Sequence, residues 1–370
     1  MKTPASLAAA ALLLCLAAPL SAPLAHAAEP ALAAPGAPFR VPAVNPPAQA
    51  ATPWGERLNA PPELHTVTCS QGPTGTVATP TGPQRVMLTA SHCVNRIPGM
   101  PEPSTEVTVP VGDSYTRIGT RGPNSGPTTE THSLADLPAA LTEPDWAFVR
   151  IDDSATATNL SHSRDAAGGS AGAPVQLTGI RDYRTLRPGE YSVDNFGQPI
   201  CKDGATTGRS CGRQIARGRD TVYSVGVAAE MGDSGGVNFD PRDGAVIGTS
   251  HGVIGPLFVS QAADRALEDA YGIPDGQVNQ AFQIAGTAPR AEFTTSGAER
   301  ERIDRATREL NPGYVPPNPK TELRRAVNEA GQAAHETARR ALRGGVDAGE
   351  VQRLVEKHGN DIALWAGFAR

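Results

Sequence analysis

Between residue 63 and about residue 260 the chain is written in short Val-, Thr- and Ile-rich runs, each stopped by Gly, Pro, Asn or Asp. Strands of this length bounded by turn residues are the pattern of an all-β sandwich or barrel. The 39 glycines and 34 prolines of the chain supply the turns that so many short strands need. The stretch "DAAGGSAGAP", residues 165–174, breaks the β-texture near its middle and reads as a link between two halves, about 63–165 and 175–260.

The flanks have different textures. Residues 28–62, with "APGAPFRVPAVNPPAQAATP", are rich in Ala and Pro and read as an unstructured leader or propeptide. After 260 the period becomes helical in "SQAADRALEDAYG", followed by a linker over 274–296 and a helical C-terminal region over 297–370. In "TELRRAVNEAGQAAHETARRAL", residues 321–342, the expected apolar face is Leu323, Val327, Ala330, Ala334, Ala338, Ala341 and Leu342. Gly344-Gly345 ends that helix and a second amphipathic segment follows, so a small helical hairpin is expected. Two destinations stay open for it: docking, on the protein itself or on a cell wall, and a loosely helical solvated tail.

At the amino terminus Lys2 precedes the apolar run Leu7 to Ala18, and Ala25-His26-Ala27 sits where a signal peptidase would cut. Residues 1–27 therefore read as a secretion signal, and no later run approaches the roughly 20 apolar residues of a membrane span. Export removes Cys15 and leaves Cys69, Cys93, Cys201 and Cys211 in an oxidising compartment, where disulfides are the default. Of the three connectivities that four cysteines allow, the short intervals favour Cys69 with Cys93 and Cys201 with Cys211. A metal site is the weaker alternative, since no histidine cluster completes it. The net charge of −5, scattered Lys and Arg and few aromatics give no nucleic-acid footprint. No metal or other cofactor is implied.

Three motifs carry chemistry. "MGDSGG", residues 231–236, is either a glycine-rich turn or the seat of a nucleophile, Ser234. "RVMLTASHCV", residues 85–94, puts His92 at the end of an apolar run, where it is either packed or a base. In "EPDWAFVRI", residues 143–151, Asp145 stands at the entrance of a strand, with Trp146, Phe148 and Arg150 on one face and Ala147, Val149 and Ile151 on the other. Asp145 is thus either a turn cap or an orienting carboxylate. A serine hydroxyl is a poor nucleophile at neutral pH and needs a base such as imidazole, itself held in one tautomer by an acid.

Taken in the order His, Asp, Ser, these motifs resemble those of the chymotrypsin-fold serine peptidases, and most of all the secreted bacterial branch of streptogrisins and α-lytic protease. "ICKDGATTGRSCG", "AAEMGDSGGVNF", "IGTSHG" and the closing helix near "FVSQAADRALEDAYGI" carry the resemblance, which spans about 63–273. It implies two antiparallel six-stranded β-barrels with the active site in the cleft between them, and a short helix closing the domain. It implies a peptide or protein substrate, Ser234 as nucleophile, His92 as base, Asp145 as orienter and an oxyanion hole from the N–H groups of Gly232 and Ser234. It further implies that Ser250 helps position Asp145, that Ser250 to Gly252 pair with extended substrate, and that Ala228 floors the primary pocket. His251 lies beside that strand and would favour acidic side chains if its ring reached the pocket.

Two departures qualify the resemblance. No Ile-Val-Gly-Gly-like start offers an amine to Asp233; the resemblance assigns that role to Lys202, whose bland reading is a solvated hairpin charge. Ala228 replaces a cysteine common in the branch, so the bridge beside the pocket is missing. The rival functions are a catalytically silent homologue acting as a binding module and a serine esterase; the latter lacks the alternating strand and helix pattern its fold requires.

Overall fold

The computed structural model describes residues 29–128 and 142–369; the segment read as a secretion signal lies outside them. The amino-terminal half supplies β1 (Pro38–Val41), β2 (Gln49–Ala51), β3 (Arg57–Asn59), β4 (Val67–Ser70), β5 (Thr74–Thr79), β6 (Gly82–Thr89), β7 (Glu106–Val111), β8 (Ser114–Asn124) and β9 (Ala147–Ile151). A short antiparallel pair, β10 (Leu160–Ser161) and β11 (Val175–Gln176), flanks the Gly-rich stretch between the halves. The second half supplies β12 (Gly179–Ile180), β13 (Pro199–Gly204), β14 (Gly208–Arg217), β15 (Thr221–Val225), β16 (Val237–Phe239), β17 (Ala245–Ile254) and β18 (Leu257–Ala262). After it come α1 (Ala263–Tyr271), α2 (Val278–Ala281), β19 (Phe282–Ile284), α3 (Ser296–Leu310), α4 (Pro319–Ala341) and α5 (Ala348–Phe368).

The second sheet runs β12-β17-β16-β13-β14-β15-β18, and a β17–β18 pairing closes six of these strands into a barrel. The first sheet runs β19-β5-β6-β9-β8-β7-β1-β4. The chain passes from Ser70 at the end of β4 to Thr74 at the start of β5. Four residue steps span at most about 14 Å, so the sheet must curl until its two ends meet. β9 shows what the alternation in its sequence accomplishes: Trp146 and Phe148 enter a core shared with Phe239, Val246 and Leu267, while Ala147, Val149 and Ile151 enter a second core with Phe39, Val107 and Ile118.

Two segments expected to lie outside the barrels are part of them. Residues 31–41 of the supposed leader are largely buried, and β1 pairs with β4 and β7. Their alanines are small enough to fit closely against neighbouring backbone, with Ala31 N–H on Pro289 O, Ala33 N–H on Thr156 O and Ala34 N–H on Gln71 Oε1. The supposed linker 274–296 contains β19, which pairs with β5. The first sheet therefore has eight strands rather than six. Arg40 of β1 and Glu299 of α3 form a buried ion pair, and the Tyr115 hydroxyl donates to the same carboxylate at 2.5 Å.

α4 and α5 form the expected hairpin, but the inner face of α4 is rotated. Leu323, Ala326, Ala330, Ala333 and Thr337 are the more covered positions, whereas Val327 is 50% and Leu342 89% exposed. Alanine occurs on both sides of this helix, so side-chain volume rather than hydrophobicity selects the contact stripe. The hairpin docks on the β2–β3 ribbon: Trp54 stacks on Trp365 with ring centroids 5.5 Å apart and meets Phe368 edge-on at 5.9 Å. Among the described residues no helix is long and apolar enough to cross a membrane.

Candidate active site

The register of the first sheet brings two of the three motifs together. Thr89 of β6 pairs with Ala147 of β9. Extending both antiparallel strands past that pair sets the Ser91–Cys93 turn against Asp145. His92 Nδ1 lies 2.8 Å from Asp145 Oδ2, and the His92 N–H donates to Asp145 Oδ1 at 3.0 Å. The turn itself is pinned by the Cys69–Cys93 disulfide to β4 and by Ser91 Oγ donating to Gly126 O at 2.5 Å.

Ser234, half-buried, sits between β15 and β16 in a turn that the first barrel helps to shape. Ser70 N–H donates to Ser234 O at 2.8 Å, and Ser70 Oγ donates to Gly232 O at 2.7 Å. Gly235 has φ of 77°, and a Cβ there would meet Thr89 Oγ1 at 2.0 Å. Gly232 has φ of 97°, and a Cβ there would meet Thr206 Oγ1 at 2.4 Å. Both positions thus need glycine for conformation and for space. The Gly232 and Ser234 N–H groups have no acceptor among the described residues, which leaves both available to an oxyanion. No hydrogen bond joins Ser234 Oγ to His92 among these residues. The turns that carry them pack together, because Gly235, next to Ser234, abuts Thr89 and Ala90, the residues just before the His92 turn.

Behind the turn Lys202 Nζ lies 2.9 Å from Asp233 Oδ2, with both side chains essentially unexposed. Lys202 Nζ also donates to Gly208 O and to the Thr207 hydroxyl. Asp233 accepts from the N–H groups of Thr206, Thr207 and Glu230 and from Thr207 Oγ1. Burial pulls the Lys202 ammonium below the ordinary lysine value, opposed by the Asp233 charge. The Cys201–Cys211 disulfide ties β13 to β14 next to this pair.

Four expected site residues are placed differently. The Ser250 hydroxyl bonds Gly236 O at 3.3 Å and Asn238 Oδ1 at 3.2 Å and does not reach Asp145. His251 Nε2 instead lies 3.7 Å from Asp145 Oδ2, and its ring centroid is 6.5 Å from that of His92, so the ring faces the Asp145 carboxylate. Ala228 is exposed, its N–H held by Ser210 Oγ at 2.8 Å, and is not an enclosed floor. Gly252 lies beside a shift in the β17–β18 register between Ser250 and Gly252, so the pairing edge expected there is locally irregular. Gln261 is a further participant: its Oε1 accepts the Asp145 N–H at 2.7 Å.

The charges of His92, Asp145 and His251 act on one another. Burial would lower the His92 imidazolium, but the Asp145 carboxylate and its hydrogen bond outweigh this and hold His92 above the ordinary histidine value. Burial would raise Asp145, yet His92 and His251 hold it below the usual carboxylate range. Burial pulls His251 below the ordinary histidine value, opposed by the Asp145 charge. Neutral imidazole is the form that accepts a proton, so hydrolysis should rise with pH through a midpoint above about 6.5. A kcat/KM–pH profile checks this; a midpoint at or below that value contradicts the Asp145 effect.

A histidine and a buried aspartate from one β-barrel, facing a Gly-Asp-Ser-Gly turn from a second, define the two-barrel chymotrypsin-like architecture. Solved structures to which the chain is similar include bacterial serine proteases of that fold and an astrovirus serine protease. They include Thermobifida fusca Protease A (18% identical, covering 69% of this chain and 98% of that one, TM-score 0.39). Nocardiopsis protease is 22% identical over 59% of this chain and 93% of its own, with a TM-score of 0.37. A glutamic acid specific serine protease described as utilizing a histidine triad in substrate binding is 20% identical over 64% and 97%, with a TM-score of 0.36. At these values the likeness concerns the fold alone, and residue roles rest on the geometry above. No protein-family model matches the chain, and no curated protein matches it.

Proposed function

We propose that the protein is a secreted serine endopeptidase in which Ser234 attacks the scissile carbonyl, His92 takes its proton and Asp145 orients His92. The observation that carries this reading is the buried Asp145 carboxylate gripping both the ring and the backbone of His92. The acyl-enzyme forms as the Ser234 Oγ–carbonyl bond is made and the peptide C–N bond breaks, with the His92 proton passing to the leaving amine. The N–H groups of Gly232 and Ser234 then face the developing oxyanion. Secretion is supported by the amino-terminal signal pattern and by two disulfides.

A fluorophosphonate probe applied to the purified protein tests the reading. Labelling of Ser234 alone, lost in His92→Ala, is expected; no labelling, or a label elsewhere, favours the silent binding module. An active protein that turns over esters but no peptide would favour the esterase.

The resemblance puts Ala228 beside the primary pocket, and although Ala228 is exposed rather than an enclosed floor, it brings no acid there. A cationic substrate side chain seated beside it would find no counter-charge from this position to offset whatever desolvation it undergoes. Cleavage after Arg or Lys is therefore expected to be poor, and cleavage after medium or large apolar residues preferred, at about 25 cal/mol per Å² of area buried. A peptide-library digest decides: dominant cuts after Arg or Lys would overturn the neutral pocket, and dominant cuts after Glu would return His251 to the substrate side.

A further inference from the structure

The proposed peptidase chemistry makes no use of an acidic cluster where α1 meets the entry of the second barrel. Asp182 follows β12, Glu268 lies on α1, and Asp275 lies in the turn between α1 and α2. One carboxylate oxygen from each lies within 4.8 Å of the other two. Some of their oxygens are satisfied. Asp182 Oδ2 accepts the Val278 N–H at 3.1 Å, and Asp275 Oδ1 accepts the N–H and hydroxyl of Thr185 at 3.1 and 3.2 Å. Glu268 Oε2 accepts from Thr185 Oγ1 at 3.1 Å and Arg265 Nη1 at 2.7 Å.

Two oxygens are left over. Asp182 Oδ1 and Glu268 Oε1 are buried without any hydrogen-bond partner, and Glu268 as a whole is only 6% exposed. A buried carboxylate oxygen without a donor is costly, so native structures supply it with a proton donor, an ordered water or a cation. The Arg265 guanidinium is a partial answer, because it is shared with Asp269 and lies 3.6 Å from Asp220. Asp264, buried on the same helix, is pushed up to about 7 by burial, and the Glu268 and Asp182 charges act in the same direction.

We propose that Asp182, Glu268 and Asp275 bind one Ca²⁺ ion, which fastens α1 and the turn after it to the start of the second barrel. This inference does not depend on the peptidase reading. Two Ca–O bonds of about 2.4 Å allow donor atoms up to about 4.8 Å apart, and these oxygens lie within that distance of one another. All three donors are carboxylates, the hard-oxygen set that suits Ca²⁺ and not the nitrogen or sulfur set of Zn²⁺. They come from three separate segments, which fits the longer and more adaptable Ca²⁺ shell better than the strict octahedron of Mg²⁺. Asp275 is exposed and gives the ion its route in, with water completing the shell. Three carboxylates against one dication and the shared Arg265 leave the cluster close to neutral.

The test uses the full chain, stripped with EDTA, in calorimetric titration with CaCl₂ and in thermal melts with CaCl₂, MgCl₂ or EDTA. Expected are one Ca²⁺ per chain and a melting temperature raised by Ca²⁺ and less by Mg²⁺. Asp275→Asn, at an exposed position, should melt like the parent in EDTA yet bind Ca²⁺ about tenfold or more weakly. Absence of saturable Ca²⁺ binding by the parent protein would overturn the proposal. So would parental affinity in both Asp275→Asn and Asp182→Asn, or a Mg²⁺ response equal to that of Ca²⁺. Fluorophosphonate labelling is read separately, so failure of this site and failure of the peptidase assignment are distinguishable.

Discussion

Asp145→Asn is expected to lower kcat/KM on the order of 10⁴-fold with little change in melting temperature. The asparagine keeps an oxygen for the His92 N–H but, in the place of Oδ2, turns an NH₂ toward Nδ1. His92 Nδ1 then becomes the acceptor, its proton moves to Nε2, and the nitrogen facing the nucleophile can no longer take a proton. Burial makes the effect large, since Asp145 is fully enclosed and no water substitutes for the lost acceptor. Ser234→Ala should remove turnover and probe labelling together. Steady-state kinetics on peptide substrates, paired with thermal melts, check both variants. An Asp145→Asn protein within tenfold of the parent would show that Asp145 caps a turn and orients nothing.

Lys202→Met carries the second large effect, an expected loss of about 3–5 kcal/mol in stability together with loss of fluorophosphonate labelling. The methionine fills the space of the lysine stem but strands the buried Asp233 carboxylate. Asp233 would keep its four hydrogen-bond donors, which moves the expected loss toward the lower end of that range. The same carboxylate braces the turn that carries Gly232 and Ser234, so relaxation to accommodate it should displace the oxyanion donors. Adding Asp233→Asn should restore much of the stability by removing the stranded charge. Urea denaturation of the single and double variants measures both changes. A Lys202→Met protein as stable and as reactive as the parent would reduce the pair to a packing detail.

What could be read from the sequence follows from how local each signal is. His92, Asp145 and Ser234 each stand beside a short apolar strand, so their neighbours in the chain announce them. Ser70 and Gln261 do not: each is a polar residue within or at the end of a strand, and only the approach of the two barrels gives it a partner across the cleft. Ser250 misled for a related reason, because its hydroxyl has an acceptor close by in Asn238 on β16. β1 and β19, of four and three residues, are too short to show a period of two. The Ala-Pro texture around β1 reads as disorder although its small side chains suit close packing. On α4, alanines on both flanks erase the contrast that a face assignment needs.

The eight-stranded sheet also constrains the order in which the molecule is able to acquire its form. Arg40 and Glu299 are 259 positions apart in the chain, and β5 waits for a neighbour, β19, that is translated only after the whole second barrel. Contacts of such long range are slow to form, since loop closure precedes any gain from the contact. During vectorial synthesis the first half of the chain therefore emerges with an open sheet edge and an unneutralised Arg40, and stays so until residue 299 is free of the ribosome. Nascent-chain stalling at residue 275, before β19, should leave the first half protease-sensitive even though His92, Asp145 and Ser234 have already been made.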